Sequence, residues 1–126
     1  MLKIIEGHFE RATSGAAGYD MLVSSAVCIE PGEIVKVGTG TKVQLPPNTV
    51  GFISHRGSVP SKLGLTVELG TFDSDYTGEL FLNVKNHRAN PFYLGKGDRI
   101  AQCVILPIWE NPIKATGERG ESGSTG

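Results

Sequence analysis

The sequence has little of what would tie a chain to a membrane, a polynucleotide or a disulfide framework. No apolar stretch approaches the roughly 20 residues that a bilayer-spanning helix needs. The opening MLKIIEGHFE has no basic region followed by an apolar core. A soluble, cytoplasmic or otherwise intracellular chain is therefore expected, with no membrane partner. With 12 basic and 13 acidic residues and a formal net charge of -1, the chain lacks the positive field that neutralises a phosphate backbone. No nucleic-acid polymer is expected as a partner.

Cysteine is nearly absent too. Cys28 and Cys103 both stand in apolar stretches, with no Cys or His at metal-ligand spacing. Buried free thiols in a reducing compartment are the expectation. His8, His55 and His87 are scattered and build no ligand cluster. Long helical periodicity is also missing, because 17 glycines and 7 prolines interrupt the chain at short intervals. Short strands joined by turns are the consequence.

What is present fits one domain of 126 residues with a single core. LKIIE reads as a first strand, and RATSGAAG, 11–18, as a small-residue loop. YDMLVSSAVCIE divides into two strands at Ser24 and Ser25, and EIVKVGTGTKVQL into two around Gly38 to Gly40. TVGFISH, PFYLG and the strongly apolar DRIAQCVILPI are further strands. Only SVPSKLGL suits a short helical turn, with Ser58 as cap and Pro60 in the first turn. Roughly ten strands with almost no helix predict an all-β fold, a closed barrel or a double-sheet jelly roll. Residues 1–112 are assigned to the barrel and 113–126, rich in glycine and polar residues, to a flexible C-terminal tail.

The chemistry centres on GTFDSDYTGEL, Gly70 to Leu80, which sets Asp73, Asp75 and Tyr76 between the apolar runs LTVEL and ELFLNV. A hairpin presenting acid and aromatic side chains at its end is predicted. A carboxylate there can orient a water and accept its proton, and a flat ring can stack on a sugar or base; surface turn chemistry explains the same residues. GAAGYD, ending in Asp20, suits close backbone approach to a ligand or a Mg²⁺ site, or simply a tight turn. In HRGS, Arg56 stands just ahead of the helical turn, as a phosphate-binding fork or a surface arginine. In GDRIAQ, Asp98 and Arg99 suit a structural ion pair, and Gln102 needs a partner if buried. The tail carries Arg119, Ser124 and Thr125, which suit plain disorder or a segment that folds over an anion.

Taken together and in order, AAGYD, HRGSVPSKLGL, GTFDSDYTGEL, GDRIAQ and the terminal GSTG resemble the five motifs of the trimeric dUTPases, which hydrolyse dUTP to dUMP and pyrophosphate. The resemblance runs from about residue 12 to the end of the chain. It implies a jelly-roll subunit of a homotrimer, with active sites shared between chains and closed by a neighbour's tail. It also implies Mg²⁺ bound mainly on the triphosphate.

By that resemblance, Asp73 positions the attacking water and Tyr76 lies beneath the deoxyribose, blocking the space of a ribose 2′-OH. The backbone from Val67 to Gly70 reads uracil in a slot too narrow for thymine's methyl. Asp20 belongs to the metal region, through water. Arg56, Gly57, Ser58 and Gln102 serve the phosphates, and Arg119, Ser124 and Thr125 clamp the terminal ones.

The chain departs from the family pattern at two places. Gly57 separates Arg56 from Ser58, and His55 replaces the usual proline before the arginine. The tail ERGESGSTG is about two residues shorter than the pattern and lacks the aromatic that covers uracil, so a less complete lid is expected. Two alternatives stand beside this expectation. A dCTP deaminase of the same fold needs a glutamate where this chain has Asn83. A nucleotide-sensing trimer with an unknown regulatory protein partner would carry no short signature at all.

Overall fold

The structure, a computed structural model, describes residues 1–109. Within them the all-β expectation holds. The strands are β1 (Lys3–Glu6), β2 (Gly18–Met21), β3 (Val27–Ile29), β4 (Ile34–Gly38), β5 (Lys42–Gln44) and β6 (Thr49–His55). The helix α1 (Val59–Leu63) follows, then β7 (Leu65–Val67), β8 (Gly70–Asp73), β9 (Phe81–Asn86), β10 (Phe92–Leu94) and β11 (Ala101–Pro107). Among the described residues no helix is long and apolar enough to cross a membrane.

All the strand pairings are antiparallel, in a four-stranded sheet ordered β2-β11-β6-β8, a three-stranded sheet ordered β4-β9-β7, and the ribbons β1-β5 and β10-β3. Both larger sheets feed one core. Met21, Ile53, Phe72 and Cys103 enter it from the first, and Val37, Leu65, Leu82 and Val84 from the second. Truncating a fully buried leucine such as Leu65 or Leu82 to alanine should cost about 2–5 kcal/mol. The most apolar run of the sequence lies inside the four-stranded sheet, as β11 between β2 and β6, with Ala101 and Cys103 buried and Leu106 and Pro107 exposed at its far end.

The helical turn forms where the sequence places it, with Ser58 at the cap position and Pro60 in the first turn. The Ser58 side chain makes no cap hydrogen bond. The turn closes on Gly64, whose φ of 67° is the left-handed conformation that glycine adopts at little cost, and its N–H donates to the Pro60 carbonyl.

Three expectations are corrected. Cys103 is buried, but Cys28 is exposed, because on the short edge ribbon β3 its side chain faces away from the core that Ile29 enters. Asp98 and Arg99 do not form an ion pair with each other. Asp98 instead accepts the Gly95 N–H at 2.8 Å, closing its turn, while Arg99 reaches Asp20. The central hairpin is not a tight turn either. Its strands β7 and β9 do pair, Val67 opposite Val84, but the residues between them make an excursion in which β8 joins the other sheet, Gly70 opposite Ile53 and Asp73 opposite Val50. Burying Phe72 in the core drives that excursion, and it carries the polar turn across the gap between the sheets.

Candidate active site

Strand pairing assembles the first group of polar residues. Gln102 on β11 stands opposite Asp20 on β2 and opposite Ser54 on β6, so the three form one row across the sheet. One step beyond the end of β6 comes Arg56, whose N–H donates to the Ile100 carbonyl at 3.0 Å. Asp20 is buried with its side chain 8% exposed. Its carboxylate lies 3.3 Å from Arg56 Nε and 3.9 Å from Arg99 Nη1. Burial of a carboxylate is tolerable only with such partners, and the two guanidiniums keep their outer faces in water.

Arg56, Gly57, Ser58, Lys62 and Arg99 line an open pocket of about 250 Å³. Its charged side chains are all cationic, so an anion of phosphate type suits it. Arg99 also borders a second recess with His8, Glu10, Arg11 and Asp20. Gln102 donates from Nε2 to the His55 carbonyl at 3.4 Å. Gly18 leaves room for that amide, since a Cβ at residue 18 would run into the Gln102 side chain.

A second group gathers at the excursion. Gly70, Asp73, Tyr76, Glu79, Phe81 and Asn83 line an open pocket of about 300 Å³. The Tyr76 N–H closes a turn on the Asp73 carbonyl at 3.1 Å, and both residues line this pocket. The Tyr76 hydroxyl donates to the Glu79 carbonyl at 2.7 Å. Such a pocket, with a carboxylate, an aromatic ring and the edge strand β8 at Gly70, can hold a nucleoside and aim a water.

Of the residues singled out in the sequence, Asp20, Arg56, Gly57, Ser58 and Gln102 thus lie together, as do Gly70, Asp73 and Tyr76. The anionic-ligand pocket and the hairpin pocket share no lining residue. Val67 does not line the hairpin pocket; its side chain is buried in β7. Arg119, Ser124 and Thr125 lie outside the described residues.

The sequence reading missed Arg99 as the second guanidinium on Asp20, Lys62 in the anion pocket, and Glu79 and Phe81 in the other. Glu79 stands within the stretch already singled out, but there it reads as the start of a strand. Phe81 carries the Lys36 ammonium 4.3 Å from its ring centroid, a contact set by the β4–β9 register and invisible before that register is known.

Comparison with known proteins bears on the same residues. A family model described as dUTPase matches residues 7–126, which takes in both pockets and the tail. The deoxyuridine 5'-triphosphate nucleotidohydrolase of Desulfitobacterium hafniense (strain DSM 10664 / DCB-2) is 42% identical over 117 residues, covering 89% of this chain and 78% of the relative. A mutant dUTPase from phage phi11 of S. aureus, described with a structural Mg(II) ion, superposes with a TM-score of 0.84 at 28% identity, covering 94% of this chain and 97% of that one. A mutant of the Staphylococcus bacteriophage 80alpha dUTPase, solved with dUpNHpp, gives 0.82 at 30% identity, over 96% of this chain and 94% of that one. A β-barrel that carries an acid–tyrosine turn and an arginine-lined anion pocket, and that matches one family model over nearly its whole length, leaves one assignment: this chain belongs to the dUTPase family.

Proposed function

We propose that this dUTPase hydrolyses dUTP to dUMP and pyrophosphate at a composite site, with the hairpin pocket of one subunit facing the arginine pocket of another in a homotrimer. The observation that carries the reading is the separation of the two pockets within one chain, each holding half of the chemistry one nucleoside triphosphate needs. A two-half site completes itself by symmetry when copies assemble around an axis.

In the nucleoside half, Tyr76 lies under the deoxyribose, and the backbone around Val67 to Gly70 supplies fixed donors and acceptors to uracil. Asp73 orients a water in line with the α-phosphorus and takes its proton as the new P–O bond forms and the bond to pyrophosphate breaks. In the phosphate half, Arg56, the Gly57 N–H, Ser58 and Gln102 hold the charge that develops on the leaving group. Residues 1–112 form the barrel, and 113–126 bring Arg119, Ser124 and Thr125 onto the terminal phosphates from a neighbouring subunit. The setting is cytoplasmic.

Mg²⁺ fits these residues in one way. Among the described residues no group of three or more His, Cys, Asp and Glu gathers to hold an ion, and the Asp20 carboxylate already meets two guanidiniums. An ion carried on the triphosphate, with Asp20 reaching it through water, suits that donor set. When bound it would neutralise phosphate charge and favour departure of pyrophosphate.

The deaminase alternative meets Asn83 in the hairpin pocket, where an amide cannot shuttle a proton as a carboxylate does. Pyrophosphate release from dUTP, with UTP, dTTP and dCTP in parallel and with Mg²⁺ present or chelated, tests the reaction. Ammonia release from dCTP would overturn it. Sharing of the site is tested by mixing two inactive variants, Asp73→Asn and Arg56→Ala, under conditions that exchange subunits. Random exchange regenerates roughly a quarter of the sites if each site takes these residues from different chains, and none if it takes both from one.

A further inference from the structure

The GTGT stretch, Gly38 to Thr41, appears in the sequence only as a break between strands, yet it grips the hairpin pocket from behind. The Gly40 N–H donates to the Glu79 carboxylate at 3.0 Å. The Thr39 hydroxyl donates to the Leu80 carbonyl at 2.6 Å, and the Leu80 N–H donates to the Thr41 carbonyl at 2.9 Å. Thr39, Thr41 and Leu80 are all buried, so these bonds form away from competing water. Gly38 leaves room for the carboxylate, since a Cβ there would stand 2.8 Å from Glu79 Oε2.

The gripped segment is what Tyr76 leans on. Its hydroxyl donates to the Glu79 main-chain carbonyl at 2.7 Å, and its ring folds back over Gly78, where a Cβ would come within 2.6 Å of the hydroxyl oxygen. Residue 79 therefore bridges two parts of the molecule. Its side chain is tied to the β4–β5 connection and its carbonyl holds the phenol.

We propose that Glu79 is a positioning residue for sugar discrimination: anchored on the Gly40 N–H, it fixes the carbonyl that aims the Tyr76 ring. The inference rests on the reading of Tyr76 as the residue beneath the sugar. A ring that must exclude one oxygen atom has to be held in one orientation, and a phenol without its acceptor turns more freely about χ1 and χ2. Without the anchor the ring still offers an apolar face to deoxyribose but no longer a fixed wall against a 2′-hydroxyl.

The test measures kcat/KM for dUTP and for UTP in Glu79→Ala, Glu79→Gln, Tyr76→Phe and Tyr76→Ala, with folding and assembly checked by circular dichroism and light scattering. Glu79→Ala should lower the dUTP-over-UTP ratio about fivefold, the factor that one net hydrogen bond carries. Glu79→Gln keeps an acceptor oxygen and should restore the ratio, whereas a loss of fold would lower both substrates together. An unchanged ratio in Glu79→Ala while Tyr76→Ala loses discrimination overturns the role of Glu79 and leaves Tyr76 in place. An unchanged ratio in both overturns the reading of Tyr76 and the inference with it. Equal loss in Glu79→Gln and Glu79→Ala also overturns the proposal, because charge rather than the anchoring bond would then be responsible. Should Glu79→Ala fail to fold, Tyr76→Phe decides: it keeps the ring and removes its bond to residue 79, so a ratio equal to the parent's overturns the proposal and a reduced one supports it.

Discussion

Asp20 and Arg56 are drawn together by strand order rather than by sequence: the carboxylate on β2 lies 3.3 Å from the guanidinium that follows β6, with β11 running between the two strands. Asp20 is buried and Arg56 is 42% exposed on its side chain, so the pair orients the arginine more than it stabilises the fold. Asp20→Asn should cost about 1 kcal/mol of stability, less in high salt, because its partner is already half in water. It should also raise the KM for dUTP by releasing Arg56 and Arg99 from their common anchor. Urea denaturation at low and high salt, with steady-state kinetics on the same samples, checks both parts.

Asp73 and Tyr76 make the second relationship, an acid and a ring set by one turn. Asp73→Asn keeps the shape and the hydrogen-bonding capacity but cannot take a proton. It should fold, assemble and bind a non-hydrolysable dUTP analogue nearly as the parent does, while kcat falls by about 10²–10⁴-fold. Calorimetric titration and pyrophosphate release separate the two effects. Near-normal turnover would remove Asp73 from its role.

Much of this was legible in the sequence, for identifiable reasons. Frequent Gly and Pro ruled out long helices, and β11 announced itself by its apolar run. Pro60 marked the start of α1, since proline fits a first turn, whereas its close on Gly64 emerged only with the structure. Asp73 and Tyr76 stood out only as one of five motifs in order, since acids and aromatics in a turn are by themselves ordinary turn chemistry. The partners were not legible. Arg99 on Asp20, Lys36 on Phe81 and Gly40 on Glu79 all depend on which parts of the chain are neighbours in the folded sheets, and a local sequence pattern does not specify that. Cys28 misled because a short edge strand exposes one face however apolar its neighbours are.

The two cysteines should behave as opposites. Burial pushes the Cys103 thiol up to about 12, while Cys28 is exposed. In the unfolded chain the Cys103 thiol ionises near its ordinary value of 9.0, so between about 9 and about 12 the unfolded state holds fewer protons than the folded one. Stability should therefore be unaffected by this group below pH 9 and fall as pH rises above it, with a slope approaching about 1.4 kcal/mol per pH unit. Cys103→Ala should remove that slope while lowering stability at neutral pH. A thiol reagent should modify Cys28 quickly in the native protein and Cys103 only as it unfolds.

The tail supplies a further test, because the proposed roles of Arg119, Ser124 and Thr125 need it and the barrel does not. Deleting residues 115–126 should leave a folded trimer whose turnover of dUTP is strongly impaired. Full activity in that variant would remove the tail from the mechanism. Restoring a single aromatic ahead of GSTG in the intact chain should lower the KM for dUTP if the shortened tail leaves uracil partly uncovered.

Gln102 offers the last test, and it can be made without touching the glutamine. The amide sits where Gly18 on the neighbouring strand has no side chain, and it donates to the His55 carbonyl one residue before Arg56. A methyl group at residue 18 has nowhere to go except into that amide, since β2 and β11 are locked in register from Ala101 to Val104. Gly18→Ala should therefore push Gln102 out of its place and reproduce the effect of Gln102→Ala, a higher KM for dUTP with a smaller change in kcat. The double variant should add little to either single one, because both act on the same side chain. Additive losses would mean that Gly18 serves the fold alone and that Gln102 reaches the phosphates independently of it.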